Sequence, residues 1–176
     1  TSFSYTYLNG LAEAERKTNS EYKTWFGAYD AARYATVLGK WNSINSTFAN
    51  QSVTYNCDQS SCQNSWYAYV YSGGALEVFL CPQFWNAPDT GVDTKFGTII
   101  HEVSHEVAST KDHAYGVTNC KNLATNDPGK AVENADCYEY FAEHHKVNIG
   151  PETLILPMLL VIGAASAEGI RRFRRL

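Results

Sequence analysis

His101 and His105 stand four residues apart in a stretch whose apolar members, Phe96, Ile99, Ile100, Val103 and Val107, recur at helical spacing. No other feature of the chain constrains the fold as much. On a helix, residues i and i+4 share a face, so the two imidazoles lie close enough to grip one metal ion. The apolar stripe beside them predicts a packed helix with both histidines on its inner edge. Thr90, Asp93 and Thr94 are candidates to cap its start. Glu102 lies about 100° further round the helix than His101. From there it reaches a water on the metal without being a ligand. Neutral imidazole suits zinc, and a carboxylate beside a metal-activated water is the arrangement of a zinc hydrolase. The bland reading of His-Glu-x-x-His, a solvated face of charged side chains, conflicts with the stripe.

A catalytic zinc needs a third protein ligand and an open fourth position. The spacing that would put a third histidine six residues past His105 fails, because Ala108 and Lys111 occupy the Gly and His positions. Glu133, Glu139 and Glu143 are eligible by position, but none sits in a motif of the glutamate-ligand class. Asp112, seven residues past His105 and just beyond a short turn, is the better candidate. His113 is its neighbour and an alternative. A span of seven residues can bring Asp112 back to the histidines at roughly 3.3 Å of reach per extended residue, provided the helix ends near Ala108.

The pairing of His101-Glu-Val-Ser-His105 with Ser109-Thr-Lys-Asp112-His-Ala-Tyr115-Gly116 resembles the deuterolysin family of aspartate-ligand zinc proteases, the aspzincins. The family's second motif runs Gly-Thr, then Asp, then Tyr-Gly; the chain matches it at Thr110, Asp112, Tyr115 and Gly116 and departs at Ser109, where the motif has Gly. Tyr22-Lys-Thr-Trp-Phe-Gly27, Tyr67-Ala-Tyr-Val-Tyr71, Leu80-Cys-Pro-Gln-Phe-Trp85 and Asn134-Ala-Asp-Cys-Tyr-Glu-Tyr-Phe141 look like the peptidyl-lysine metalloendopeptidase branch. The likeness covers roughly residues 5–145. It implies one Zn2+ held by His101, His105 and Asp112, with Glu102 as the proton acceptor and Tyr115 as the oxyanion donor. Asp136 and Glu139, three residues apart on one helix face, correspond to the acidic pocket for the lysine after the cut bond. Expected substrates are therefore peptides cleaved before Lys. The alternatives are a broader deuterolysin-like protease, or a catalytically impaired binding or toxin module with a shortened ligand loop. The resemblance also implies disulfides Cys62–Cys81 and Cys120–Cys137, which leaves Cys57 without a partner.

A chain of 176 residues is a one-domain length. Its net charge of −4 and lack of a basic run in the body exclude nucleic acid as an expected partner. The five cysteines lack CxxC spacing, so they read as disulfides of a secreted protein in mature form, without its leader and propeptide. A monomer is expected. Residues 1–146 are expected to form the peptidase domain. Residues 147–176 form a tail, apolar from Thr153 to Ala167 and then arginine-rich. Its fifteen apolar residues fall short of the ~20 that span a bilayer, so membrane contact is conceivable only there. A sorting tail beginning near Pro151-Glu152 is another reading.

The remaining pattern is α+β: a zincin-like fold, rich in helix, with a small antiparallel or mixed sheet. Helices are predicted at 8–24, 28–45, 114–125 and about 129–143, the last capped by Asp127-Pro128. Residues 42–52 read as a polar loop. Trp66–Tyr71 and Leu76–Leu80, with Ser72-Gly-Gly74 between them, predict a hairpin, and Val53–Tyr55 predicts a further strand.

Overall fold

The computed structural model describes residues 2–147 and 171–175, with side chains over 2–144. Along the chain come α1 (Ser2–Gly10), α2 (Glu13–Thr18), α3 (Ser20–Phe26), α4 (Ala31–Asn50), β1 (Thr54–Asn56), β2 (Trp66–Tyr71), β3 (Glu77–Leu80) and α5 (Pro82–Asn86). Then follow α6 (Lys95–Ala108), α7 (Val117–Asn126), α8 (Pro128–Ala131), α9 (Ala135–Val147) and β4 (Arg171–Arg175). The architecture is the expected α+β one. The sheet is mixed, in the order β1-β3-β2-β4, with β1 parallel to β3 and the other pairs antiparallel. The predicted hairpin is the β2–β3 pair, in register through Ala68 with Leu80 and Val70 with Val78.

Helix α6 carries the paired histidines and lies between two apolar layers. On one side Val103 packs against Ala68, Val70, Val78, Leu80 and Phe84 of the sheet and α5. On the other, Ile100 joins a larger core in which Trp41 of α4 and Phe141 of α9 are central. The two residues lie three apart on α6, so one helix seals both layers while its histidines stay buried between them. The far face of the sheet is aromatic, with Tyr69 stacked on Phe79 at a centroid distance of 4.7 Å. The Cys62–Cys81 disulfide borders that cluster.

Three boundaries differ from the sequence expectation. The helix predicted at 8–24 is three short ones. Asn19 is extended, and its side-chain oxygen accepts from Tyr22 N at 2.8 Å, which starts α3 afresh. The polar stretch after Asn42 remains helical to Asn50, because Ile44 and Thr47 face the core and the Ser and Asn side chains turn outward. The last predicted helix is broken at residues 132–134, where Lys111 pairs with Asn134 in an isolated parallel bridge. The Asp127 cap is present, accepting from Lys130 N at 3.1 Å with Pro128 in the first turn.

Gly27, at φ +85°, has a physical necessity: a Cβ there would lie 2.4 Å from the Ala124 carbonyl oxygen. Only glycine lets α3 end against α7 at this distance.

Of the tail predicted at 147–176, the apolar segment lies outside the described residues. Arg171–Arg175 forms β4 on the free edge of β2. Among the described residues no helix is long and apolar enough to cross a membrane.

Candidate metal centre

Thr94 caps α6, its hydroxyl accepting from Gly97 N at 3.0 Å. At the other end the helix stops at Ala108. Ser109 adopts the left-handed conformation, φ 50° and ψ 42°, and turns the chain back. This is the position where the family motif has Gly, the residue for which that conformation carries no side-chain penalty. The short turn delivers Asp112 to the histidines. Asp112 Oδ1 lies 3.2 Å from His101 Nε2 and 3.2 Å from His105 Nε2, and the two Nε2 atoms are 3.2 Å apart. Seven residues are therefore enough span.

These three atoms make a triangle of equal sides. Ligand atoms about 2.0–2.1 Å from a tetrahedral zinc sit about 3.3 Å from one another, so the triangle fits that ion. The hydrogen bonds behind the rings make the same point. His105 Nδ1 lies 3.0 Å from the Thr110 carbonyl oxygen, and His101 Nδ1 lies 2.7 Å from Asp136 Oδ1. Both Nδ1 atoms therefore carry the proton, and both Nε2 lone pairs aim at Asp112 Oδ1. Three Lewis bases converging on one point repel unless a cation lies among them. His101, His105 and Asp112 form one such donor group; in the second cluster behind it, His101, Asp136 and Glu139, the Nδ1 proton lies between the ring and the carboxylates.

The electrostatics agree. Burial by itself would push the His101 pKa down. Asp112, Asp136 and Glu139 outweigh burial and raise it, so a positive charge is favoured at this point, as a proton on Nε2 or as a metal ion in its place. For Asp112 burial is likewise the largest influence and acts upward. The hydrogen bonds to His101 and His105 overcome it and pull the carboxyl far below its ordinary range. The pocket is built to hold positive charge.

The expected site residues gather here. Glu102 is fully buried on α6. Tyr115 lies over His101, with ring centroids 6.4 Å apart and planes 17° from parallel. Burial, then the Asp112 carboxylate, raises its hydroxyl pKa and keeps it a donor. Asp136 and Glu139 are both fully buried and share one face of α9 behind His101. Asp136 is more committed than a pocket-lining residue would be. Its Oδ1 meets His101 and its Oδ2 accepts from Gly116 N at 2.7 Å, while Glu139 Oε2 lies 3.4 Å from His101 Nδ1.

One expected link is not made. Cys62–Cys81 is a disulfide, but Cys120 and Cys137 stand as two buried thiols, and Cys57 is an exposed thiol. The Asn134 amide nitrogen lies 3.4 and 3.5 Å from the sulfurs of Cys120 and Cys137, a polar contact that does not need a covalent bond. Three further contributors escaped the sequence reading. They are the Thr110 carbonyl, the Asn134 amide and the role of Glu143, which was eligible as a third ligand and instead caps the start of α6 from α9. Only Glu143 had a local signal, seven residues past Asp136 and hence on the same helix face.

Comparison with known proteins adds the family. Residues 11–143 match the aspzincin family, described as lysine-specific metallo-endopeptidase. The chain is 44% identical over 132 residues to an extracellular protease of Aeromonas hydrophila, which covers 74% of this chain and 37% of that protein. It is 42% identical over 143 residues to a peptidyl-Lys metalloendopeptidase of Pleurotus ostreatus, which covers 80% of each. Among solved structures, a zinc peptidase from Grifola frondosa superposes with a TM-score of 0.71 at 40% identity, over 82% of this chain and 86% of that one. The chain spans only about a third of the Aeromonas protease and of a Grifola peptidyl-Lys metalloendopeptidase, 37% and 35%. The motif pair, the zincin-like fold and these matches lead to one statement: the chain belongs to the aspzincin family of metallo-endopeptidases.

Proposed function

We propose that the protein is a secreted zinc endopeptidase that cuts peptide bonds on the N-terminal side of lysine. The observation that carries this reading is the equal-sided triangle of His101, His105 and Asp112 with Glu102 buried on the same helix. Residues 1–146 form the peptidase domain, and one chain holds the whole donor set, so a monomer suffices. Secretion is supported by the Cys62–Cys81 disulfide, which persists in oxidising surroundings, and by the extracellular relative.

Bound at the three ligands, zinc supplies a Lewis acid that lowers the pKa of water to about 7 and polarises the scissile carbonyl. Glu102 takes the proton of the attacking water and returns it to the leaving amine. Tyr115 keeps its proton and donates a hydrogen bond to the developing oxyanion. Asp136 holds His101 in the tautomer that leaves Nε2 free for the metal. With both Asp136 oxygens engaged, Glu139 supplies the charge that a lysine ammonium would meet. Four carboxylates, Glu102, Asp112, Asp136 and Glu139, surround a centre that neutralises two charges, so the surplus favours a cationic side chain.

Glu102→Gln tests the mechanism. It should keep zinc and lose about 10²–10⁴-fold in kcat, and a zinc-loaded variant with full activity would remove the reading. Peptide mapping tests specificity. Cuts before Lys are expected, becoming indiscriminate in Glu139→Gln; cuts spread over apolar residues in the unaltered protein would eliminate the lysine claim.

A further inference from the structure

We propose that Asn134 is a positioning residue for the metal centre, fixing the backbone that presents Asp112. This inference rests on the reading of His101, His105 and Asp112 as ligands. His101 and His105 are placed by a helix, but Asp112 stands on a connection between α6 and α7 that belongs to neither helix nor sheet. Ligand geometry must nonetheless be held to about half an ångström. The restraint comes from residues 133–135, immediately before α9. Lys111 N donates to the Glu133 carbonyl at 2.7 Å, and Ala135 N donates to the Lys111 carbonyl at 2.9 Å. On the other side of Asp112, His113 N and Ala114 N both donate to Asn134 Oδ1, at 2.8 and 2.9 Å. Asn134 Nδ2 returns a bond to the Ala114 carbonyl at 3.0 Å. Five hydrogen bonds thus pin residues 111, 113 and 114, and only the Asp112 side chain is left to point at the histidines.

The chemistry selects asparagine. The site needs an oxygen that accepts two N–H groups and, on the same fully buried side chain, a donor for a carbonyl. Aspartate keeps the acceptor but sets its second oxygen against the Ala114 carbonyl and the two thiols. Alanine keeps neither half. Two residues further on, Asp136 holds His101. One short segment, 134–136, therefore positions two of the three ligands, one through backbone and one through a carboxylate.

The test is zinc affinity, read by chelator competition on the full chain, for the unaltered protein, Asp112→Ala, Asn134→Asp and Asn134→Ala, with thermal melts of the zinc-free forms alongside. Outer partners of metal ligands typically govern affinity by about 10–100-fold. Both Asn134 variants should weaken zinc by at least about tenfold and lower kcat at saturating zinc more than they raise KM. If a folded Asn134 variant binds zinc within about twofold of the unaltered protein while Asp112→Ala does not, the inference is overturned. If Asp112→Ala itself binds zinc normally, the ligand reading falls instead. If neither Asn134 variant folds, hydrogen exchange on the unaltered zinc-free protein decides. The His113 and Ala114 amides should be protected before any metal is added, and exchange at open-loop rates would overturn the proposal.

Discussion

The two ends of α6 solve the same problem in opposite ways. Each end leads into a non-glycine residue with positive φ, Asp93 at 56° before the helix and Ser109 at 50° after it. At the start, buried polar contacts offset the cost. Glu143 accepts from Thr94 N at 2.7 Å, from the Thr94 hydroxyl at 2.8 Å and from Asp93 N at 3.2 Å. Tyr140 donates to Asp93 Oδ1 at 2.8 Å. A carboxylate at a helix N-terminus also meets the favourable end of the dipole. At the finish, Ser109 and Thr110 N–H groups share the Ser104 carbonyl, and Lys40 donates to the Ala108 carbonyl. The first end is closed and anchored by charge. The second end brings only Ser109 to the surface, between buried Ala108 and Thr110, and carries the ligand loop. The contrast teaches that the helix is fixed where no chemistry happens, so that its other end can hold a strained turn where chemistry does.

Breaking the anchored end should have the largest effect. Glu143→Ala strands three donors, and unmade buried hydrogen bonds to a charged acceptor cost about 1–3 kcal/mol each, not fully additively. We expect a loss of about 3–5 kcal/mol in urea unfolding. A loss below about 1 kcal/mol would show that the carboxylate is not the anchor. Gly97→Ala should come next. A Cβ there would lie 2.1 Å from Glu143 Oε1 and 3.0 Å from Glu139 Cγ. Overpacking of this kind costs about 1–3 kcal/mol, against up to about 1 kcal/mol returned by the helix preference of alanine. The sharper measurement is the double variant. Once Glu143 is alanine, only the 3.0 Å approach to Glu139 Cγ remains, so the cost of Gly97→Ala should fall well below its cost in the unaltered protein, and additive costs would refute the Glu143 contact.

The same contrast separates what the sequence reveals from what it hides. Helical periodicity and i to i+4 spacing are local, so α6, the paired histidines and the neighbouring Glu102 could be read directly, and the cap narrowed to Thr90, Asp93 or Thr94. The end of the helix at Ala108 followed from the need to turn Asp112 back. Glu143 reaches Thr94 across 49 positions, Lys40 reaches Ala108 across 68 and Asn134 reaches Ala114 across 20. Nothing in the residues near each donor announces such a partner. The polar stretch after Asn42 misled for a related reason: its helix is decided by the burial of Ile44 and Thr47 against distant elements, which overrides a loop-like composition. Asp136 was recognised by its position in the motif, but its commitment to His101 and Gly116 appears only when α6, α7 and α9 meet.

The C-terminal end yields the smallest prediction and the one of opposite sign. Ser109→Gly removes a side chain from a left-handed position, where a non-glycine residue pays about 1–2 kcal/mol. Glycine returns part of that gain through the greater freedom of its unfolded chain, about 0.4–1 kcal/mol. The net should be a stabilisation of about 0.5–1 kcal/mol in denaturant melts, in a protein where both changes at the anchored end destabilise. Zinc affinity should hold within about twofold, because the loop carrying Asp112 is fixed from residues 133–135 and not by the torsion at 109. If Ser109→Gly destabilises, the serine makes a contact that outweighs its strain. If it stabilises but weakens zinc, the strained turn itself presses Asp112 toward the histidines, and the two ends of α6 would then differ in purpose as well as in cost.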